Sequence, residues 1–157
     1  MAQRFKNVLL AIDFSAVTDD VVGVGLKFAR DYGAQVLLLN VYEEGFAFSG
    51  LDGISLPVED LTTLQHYSAS RILALQDKMD ALVATLKESG LKVAGRVIEG
   101  SPAAMIIDEA ENGGFDAVFM GSHGWSGIKK FLMGSVADKV VKNSRCSVMV
   151  VRPQVKD

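Results

Sequence analysis

Short apolar runs alternate along this chain with segments of helical periodicity, and this alternation constrains the fold more than any other feature of the sequence. The runs at 7–12, 35–42 and 115–120 are apolar almost throughout. Such runs are typical of parallel strands, which are buried on both faces of a sheet. Strands that alternate with helices are joined by right-handed crossovers. The sequence therefore predicts an α/β fold, a single doubly wound domain whose five-stranded parallel sheet is covered by helices on both faces.

The individual elements can be predicted from their boundaries. The five strands are expected at 7–12, 35–42, 91–99, 115–120 and 146–152, and the four helices at 18–32, 59–89, 102–111 and 135–142. Thr18 is the expected N-cap of the first helix and Gly33 its stop. Ser101 and Pro102 are the expected N-cap and first residue of the third helix. The third strand carries more polar residues than the others, which indicates a position near the edge of the sheet.

The stretch 43–57, between the second strand and the second helix, is rich in glycine, serine and phenylalanine and shows no period. Loops of this length without secondary structure are uncommon and are usually functional or mobile. Because the stretch leaves the second strand on the side where ligands bind, we expect it either to cover the ligand site or to be a variable surface loop.

Composition excludes several classes of protein. The 157 residues suit one domain, which we expect to span 1–157. The net charge of −3 is spread over mixed signs, so no basic footprint for nucleic acid is present. No apolar run reaches the roughly 18 residues that a membrane helix needs. The polar start of the chain leads into an apolar run too short for a signal peptide, so we expect a cytoplasmic protein.

The one cysteine, Cys146, cannot form an intramolecular disulfide. It opens the apolar run 146–151, which favours a half-buried small hydrophobe over a nucleophile or a redox sensor. No cluster of cysteine, histidine and carboxylate residues has metal-ligand spacing, so we expect no metal site in the protein itself. A bound Mg²⁺ ion would arrive with a nucleoside triphosphate.

A glycine-rich stretch after the fourth strand carries the strongest functional signal. The segment 121–124 (GSHG) is followed, after nine further residues, by Gly134 and Ser135 at the start of the last helix. A helix N-terminus has unpaired N–H groups and a partial positive charge, and glycine lets a phosphate approach the backbone. Ser135 adds a hydroxyl donor, and Lys129 and Lys130 add positive charge. On these residues alone, an anion site and simple turns are equally supported.

The stretch 121–152, GSHGWSGIKKFLMGSVADKVVKNSRCSVMVVR, resembles the C-terminal signature of the universal stress proteins. In the ATP-binding branch of that family the signature is glycine, two residues, glycine, nine residues, and then glycine followed by serine or threonine. Gly121, Gly124, Gly134 and Ser135 match it. The segments NVLLAIDFS, GSP and FDAVFMG are also similar to the family, so the resemblance covers essentially the whole chain.

The resemblance implies an adenine nucleotide alpha hydrolase-like fold and an ATP site whose residues correspond position by position. Asp13 would contact the ribose, Gly121 would lie beside it, and Val41 would offer its main chain to adenine. The phosphates would be cradled by residues of the glycine-rich stretch and of the helix that follows it: Gly124, Gly134, Ser135 and Val136. The resemblance also implies a homodimer with the two last strands side by side.

Several of these residues admit other roles. Asp13 could cap a helix, although its place beside the signature favours contact with the ribose. His123 could be a general base or a metal ligand, but a lone histidine in a glycine loop favours hydrogen bonding within the loop. Trp125 stands where a basic or small polar residue is more usual in the family, and Ser147 stands where proline is common. The role of Trp125 stays open.

The sequence excludes two other nucleotide-binding classes, because it contains neither the P-loop G-x-x-x-x-G-K-[ST] nor G-x-G-x-x-G after the first strand. One function left open is an ATP-binding stress-response or regulatory module whose nucleotide state changes its contacts with unidentified protein partners. The alternative is a slow ATP hydrolase. A structural dimer indifferent to nucleotide is disfavoured by the intact signature. We expect no catalytic residue and slow or absent hydrolysis, because the chain lacks a P-loop lysine and an obvious second acidic metal ligand beside Asp13.

Overall fold

The strands and helices follow one another in the predicted order. The computed structural model describes residues 4–43, 58–123 and 133–154, and within 58–67 it describes only the side chain of His66. The strands are β1 (Asn7–Ala11), β2 (Gln35–Tyr42), β3 (Val93–Glu99), β4 (Ala117–Gly121) and β5 (Ser147–Val151). The helices are α1 (Thr18–Tyr32), α2 (Val58–Lys87), α3 (Pro102–Asn112) and α4 (Ser135–Asn143).

The five described strands are parallel and lie in the order β3-β2-β1-β4-β5. The chain places β1, β2 and β3 outward in one direction and then returns to add β4 and β5 on the other side of β1. The strand order therefore reverses between β1 and β4. Open sheets of this type bind ligands at such a reversal, outside the carboxyl ends of the strands. The predicted doubly wound α/β fold is confirmed, and so is the edge position of β3.

Alternating side chains of the central strands fill two separate cores. Val8 and Leu10 of β1 point to the face that α1 and α2 cover, whereas Leu9 and Ala11 point to the face that α3 and α4 cover. Val8, Leu9 and Leu10 are all 0% exposed. Fully burying such an aliphatic side chain contributes about 1.5–3 kcal/mol. The helices on the two faces of the sheet, which the sequence predicts, therefore pack against opposite sides of the same strand, β1.

The long helix α2 packs on the sheet through one apolar stripe. Met79 is buried, and Leu82 and Leu86 are half-buried, at the three- and four-residue spacing that predicts the stripe. Gly95 of β3 permits this approach, because a Cβ there would lie 2.6 Å from Met79 Cγ. Although α2 has 30 residues, neither it nor any other helix in the described ranges is long and apolar enough to cross a membrane.

The start of α1 corrects one prediction. The N-cap is Val17, and Thr18 is already the first helical residue, so the expectation that Thr18 caps the helix is wrong. The reason is a turn one step earlier, in which the Thr18 N–H donates to Ser15 O at 3.0 Å. This turn gives Val17 helical dihedrals and leaves Thr18 inside the helix. Gly33, with φ of 64°, ends the helix as predicted.

Two glycines of α1 differ in what a methyl group would meet. A Cβ at Gly25 would lie 2.6 Å from Leu10 Cδ2, whereas nothing lies within 4 Å of a Cβ at Gly23. We expect Gly25→Ala to lower the free energy of unfolding by about 1–3 kcal/mol through overpacking. Gly23→Ala, the matched control, should raise it by roughly 0.5–1 kcal/mol because alanine suits a helix interior better. Urea unfolding of both variants measures the difference, and equal changes would contradict the close packing of α1 on β1.

Candidate functional site

The chain turns sharply just after β1, and this turn carries Asp13. Phe14 has φ of 57°, in the left-handed region that bulky residues rarely occupy. The Ser15 N–H donates to Asp13 Oδ1 at 2.9 Å, which orients the half-buried carboxylate. Asp13 therefore orders the turn before α1 and does not occupy the N-cap, which is Val17. Strained backbone of this kind clusters at ligand sites.

Strand register places Asp13 in a row with residues of the two neighbouring strands. The last residue of β1 lies opposite residue 39 of β2 and residue 120 of β4. Asp13, Val41 and Ser122 each lie two residues beyond this level, so all three are at the carboxyl ends of adjacent strands. Neighbouring strands lie about 4.8 Å apart, so the row from Val41 to Ser122 spans roughly 10 Å. This row lies where the strand order reverses.

A main-chain hydrogen bond ties the start of α4 to the end of β4. The Gly134 N–H donates to Ser122 O at 2.7 Å, and the Ser122 N–H donates to Val151 O of β5 at 2.9 Å. Gly134 is the N-cap of α4 and, being glycine, has no side chain that could bond to the first N–H groups of the helix. The Asp138 N–H donates to Gly134 O at 2.9 Å, so the N–H groups of 135–137 precede the first bond of the helix. These donors carry the partial positive charge of the helix start.

The side chains of the first turn of α4 face different surroundings. Ser135 is exposed, so its hydroxyl is accessible. Val136 packs against the core between the sheet and α3–α4, which leaves its main chain as the part that can meet a ligand. Asp138 adds a negative charge, but its carboxylate pairs with Lys142 Nζ at 2.8 Å. The acidic charge near the helix start is therefore partly compensated.

Ser122 and His123 form a pair behind this helix start. Ser122 is buried, and its Oγ lies 3.0 Å from His123 Nδ1. This contact supports the role of His123 in hydrogen bonding within the loop. Within the described ranges, no group of three or more histidine, cysteine, aspartate or glutamate residues could hold a metal ion.

Gly121 has a packing reason to be glycine. A Cβ at this position would lie 2.6 Å from Val17 Cγ1 and 3.2 Å from His123 O. Val17 is buried at the N-terminus of α1. The close approach of α1 to the end of β4 therefore requires glycine at 121 by itself, and the ribose contact implied by the family would be a second demand on the same residue.

Asn40 is a candidate that the sequence patterns did not identify. It is 3% exposed, and its Nδ2 donates to Ile12 O at 2.9 Å, directly before Asp13. A signal was present, since Asn40 is the one polar residue in the apolar run LLLNVY. Its partner depends on the register between β1 and β2, which the sequence does not state.

Some predicted features lie outside the described residues. They are Gly124, Trp125, Lys129 and Lys130 of the glycine-rich stretch, and the loop at 44–57. The other predicted nucleotide-site residues are described. They lie at the carboxyl ends of the strands or at the start of α4: Asp13, Val41, Gly121, Gly134, Ser135 and Val136.

Cys146 is far from this row, because it directly precedes β5 and therefore lies at the amino end of the sheet. It is half-buried, as predicted. Burial raises the pKa of the Cys146 thiol above its ordinary value, because the thiolate is the form that burial disfavours. The thiol is therefore protonated at neutral pH and is a weak nucleophile.

Comparison with known proteins identifies the family. A family model described as the universal stress protein family matches residues 4–152. This chain belongs to the universal stress protein family. A relative, universal stress protein MJ0577 from Methanocaldococcus jannaschii, is 28% identical over 158 residues, which cover 97% of this chain and 98% of that protein. The solved structure of MJ0577 matches 98% of this universal stress protein, and 99% of its own chain, with a TM-score of 0.81.

More distant universal stress proteins share the fold. UspA from Lactobacillus plantarum matches with a TM-score of 0.78 at 19% identity, covering 95% of this chain and 99% of that chain. A family protein from Arabidopsis thaliana with AMP bound matches with a TM-score of 0.64 at 19% identity, covering 96% of this chain and 93% of that chain.

The contact between Gly121 and Val17 can be tested by a double-mutant cycle. We expect Gly121→Ala to lower the free energy of unfolding by about 1–3 kcal/mol, because the new Cβ meets Val17. Val17→Ala makes room for that Cβ, so the double variant should be more stable than the sum of the single changes predicts, by roughly 0.5–3 kcal/mol. Chemical denaturation measures all three variants.

The matched control for this cycle combines Val17→Ala with Thr85→Ala on the exposed side of α2. Distant pairs are additive within about 0.3–0.5 kcal/mol. Equal additivity in both cycles would contradict the packing role of Gly121.

Proposed function

We propose that this universal stress protein binds ATP in the crevice between β1 and β4 and acts as a nucleotide-dependent stress-response or regulatory module in the cytoplasm. The observation that carries the proposal is the hydrogen bond between the Gly134 N–H and Ser122 O. It holds the start of α4, whose N-cap is a glycine, at one end of the row that contains Val41 and Asp13. In the proposed site an oriented carboxylate and the first N–H groups of α4 would share one crevice.

Each part of the nucleotide finds a matching group along this row. The Asp13 carboxylate is oriented by the Ser15 N–H and can accept hydrogen bonds from ribose hydroxyls. The phosphates would meet the first N–H groups of α4 and the Ser135 hydroxyl. Val41, at the β2 end of the row, would face the adenine ring with its main chain. In this arrangement Gly124 would complete the phosphate cradle, and Mg²⁺ would enter with the triphosphate.

The comparisons support the ligand class. The Arabidopsis thaliana family protein of the same fold carries AMP, and another solved universal stress protein is in complex with cAMP. Both ligands contain adenine, ribose and phosphate, the three groups that the row from Val41 to α4 would bind. The partners whose contacts the bound nucleotide would change stay unidentified, and slow or absent hydrolysis stays a prediction.

ATP binding can be tested by two substitutions that act on different parts of the nucleotide. Ser135→Ala removes a hydrogen bond to a charged phosphate, which is worth roughly 1.5–3 kcal/mol, so we expect about tenfold to hundredfold weaker binding. Asp13→Asn keeps the side-chain shape and an acceptor for the Ser15 N–H but removes the charge. It should weaken ATP binding and narrow the preference of the protein for ATP over 2′-deoxy-ATP and 3′-deoxy-ATP.

Isothermal titration calorimetry measures these affinities. Ser89→Ala is the matched control, because Ser89 lies just after α2 and its Oγ donates to the local carbonyl of Leu86. The control should bind ATP as the wild type does. ATP affinity that is unchanged by both Ser135→Ala and Asp13→Asn would rule out this site.

We also propose that the protein is a homodimer that pairs through β5. This strand lies at the edge of the sheet, where unpaired N–H and C=O groups are an open template for another strand. Met149 is 42% exposed, whereas Val148 and Val150 pack against the core of their own chain. Met149 is therefore the position where an interface can be changed without damage to the fold.

Met149→Lys should convert the dimer to a monomer, because each copy would bring an unpaired lysine charge into the interface between the β5 strands. Analytical ultracentrifugation measures the mass of the particle, and circular dichroism checks the fold. Leu73→Lys is the control, since Leu73 is 61% exposed on α2 and away from β5. A folded Met149→Lys variant that remains dimeric would put the interface elsewhere.

A further inference from the structure

Asn40 is a polar residue at a position where an apolar side chain would give a more stable fold. It is 3% exposed, and it shares a face of β2 with Leu38, in the core under α1 and α2. Its Nδ2 is satisfied by Ile12 O, but its Oδ1 is buried and has no partner among the described residues. A buried polar atom without a partner destabilises a fold, and an apolar side chain here would avoid that loss. Stability therefore does not explain the asparagine.

The hydrogen bond of Asn40 interrupts the pairing of β1 with β2. The Ile12 N–H donates to Leu39 O at 2.9 Å, in the regular parallel pattern. The next bond of that pattern would run from the Val41 N–H to Ile12 O. That oxygen instead accepts the side-chain amide of Asn40 at 2.9 Å. Asn40 thus takes the place of a main-chain donor.

The interruption leaves the main chain of Val41 facing the crevice. Tyr42 O accepts from the Gly100 N–H on the β3 side, and successive residues of a strand direct their N–H and C=O groups to opposite sides. The N–H and C=O of Val41 therefore face past the end of β1. On that side, no residue in the described part of the chain bonds to either group.

We propose that Asn40 is a positioning residue that keeps this donor–acceptor pair of Val41 open for the base of the nucleotide, an inference that rests on the proposed ATP site. Adenine presents a ring nitrogen acceptor beside an amino donor, which complements an N–H donor and a C=O acceptor from one residue. Guanine presents the opposite order at the same edge. Asn40 therefore contributes to the choice of base without touching it.

Asn40→Leu tests the role, because leucine has the branching of asparagine but no hydrogen-bonding atom. In this variant the Val41 N–H should donate to Ile12 O, so its amide hydrogen exchange in nucleotide-free protein, followed by NMR, should slow. ATP affinity should fall about threefold to tenfold, and the preference for ATP over GTP should shrink. Affinity for inorganic tripolyphosphate, which has no base, should not change.

Ser144→Ala is the matched control, since it removes another buried oxygen that has no hydrogen-bond partner among the described residues. Ser144 directly follows α4 and precedes β5, so it lies at the amino end of the sheet. The control should leave the ATP-to-GTP preference and the exchange of Val41 as in the wild type. Asn40→Val replaces the leucine variant if leucine overpacks the core. A folded variant with the wild-type preference for ATP, or a wild-type Val41 amide already as protected as in the variant, would overturn the role of Asn40. Equal affinity of the wild type for tripolyphosphate, GTP and ATP would also overturn the role of Asn40. A wild type that binds none of the three ligands would overturn the proposed function and, with it, the role of Asn40.

Discussion

Val8, Leu9 and Leu10 of β1 are inaccessible to solvent although they point alternately to opposite faces of the sheet. A strand that is apolar on both faces can be buried only between two layers of helices, and with neighbours on both edges it lies inside the sheet. The end of β1 consequently lies between the ends of β2 and β4. Because β1 is buried in the centre of the sheet, the polar turn at Asp13 that follows it lies where the strand order reverses. The position of the crevice is therefore determined by the packing of the core.

The same constraint explains why most of the fold could be predicted from the sequence. Continuous apolar runs and three- and four-residue spacings are local patterns, and the stripe on α2 around Met79 appears where its spacing predicts it. The predicted N-cap of α1 is wrong because the choice between Val17 and Thr18 as the cap depends on a turn that begins at Ser15. Such a turn leaves no periodic signal. Local pattern therefore predicts the existence of an element better than its first residue.

The candidate site was predictable only in part, for a related reason. Gly134 and Ser135 have a motif spacing that can be recognised in the sequence, and they stand at the start of α4 as expected. The contact of Gly121 with Val17 joins residues about a hundred positions apart, and the bond between Asn40 and Ile12 depends on strand register. Neither is encoded in spacing along the chain. The motif spacing thus identifies candidate residues in the sequence, whereas the contacts that fix their positions are long-range and cannot be read from that spacing.

The start of α4 is anchored by a main-chain hydrogen bond from Gly134 to Ser122, and its N-cap, a glycine, contributes no side chain. An anchor of this kind is indifferent to the side chain at the next position. A substitution at residue 135 should therefore leave the helix start in place and change only the group that the first turn presents in front of the helix. Folding of the helix and the chemistry of its first residue are thus separable properties of this chain.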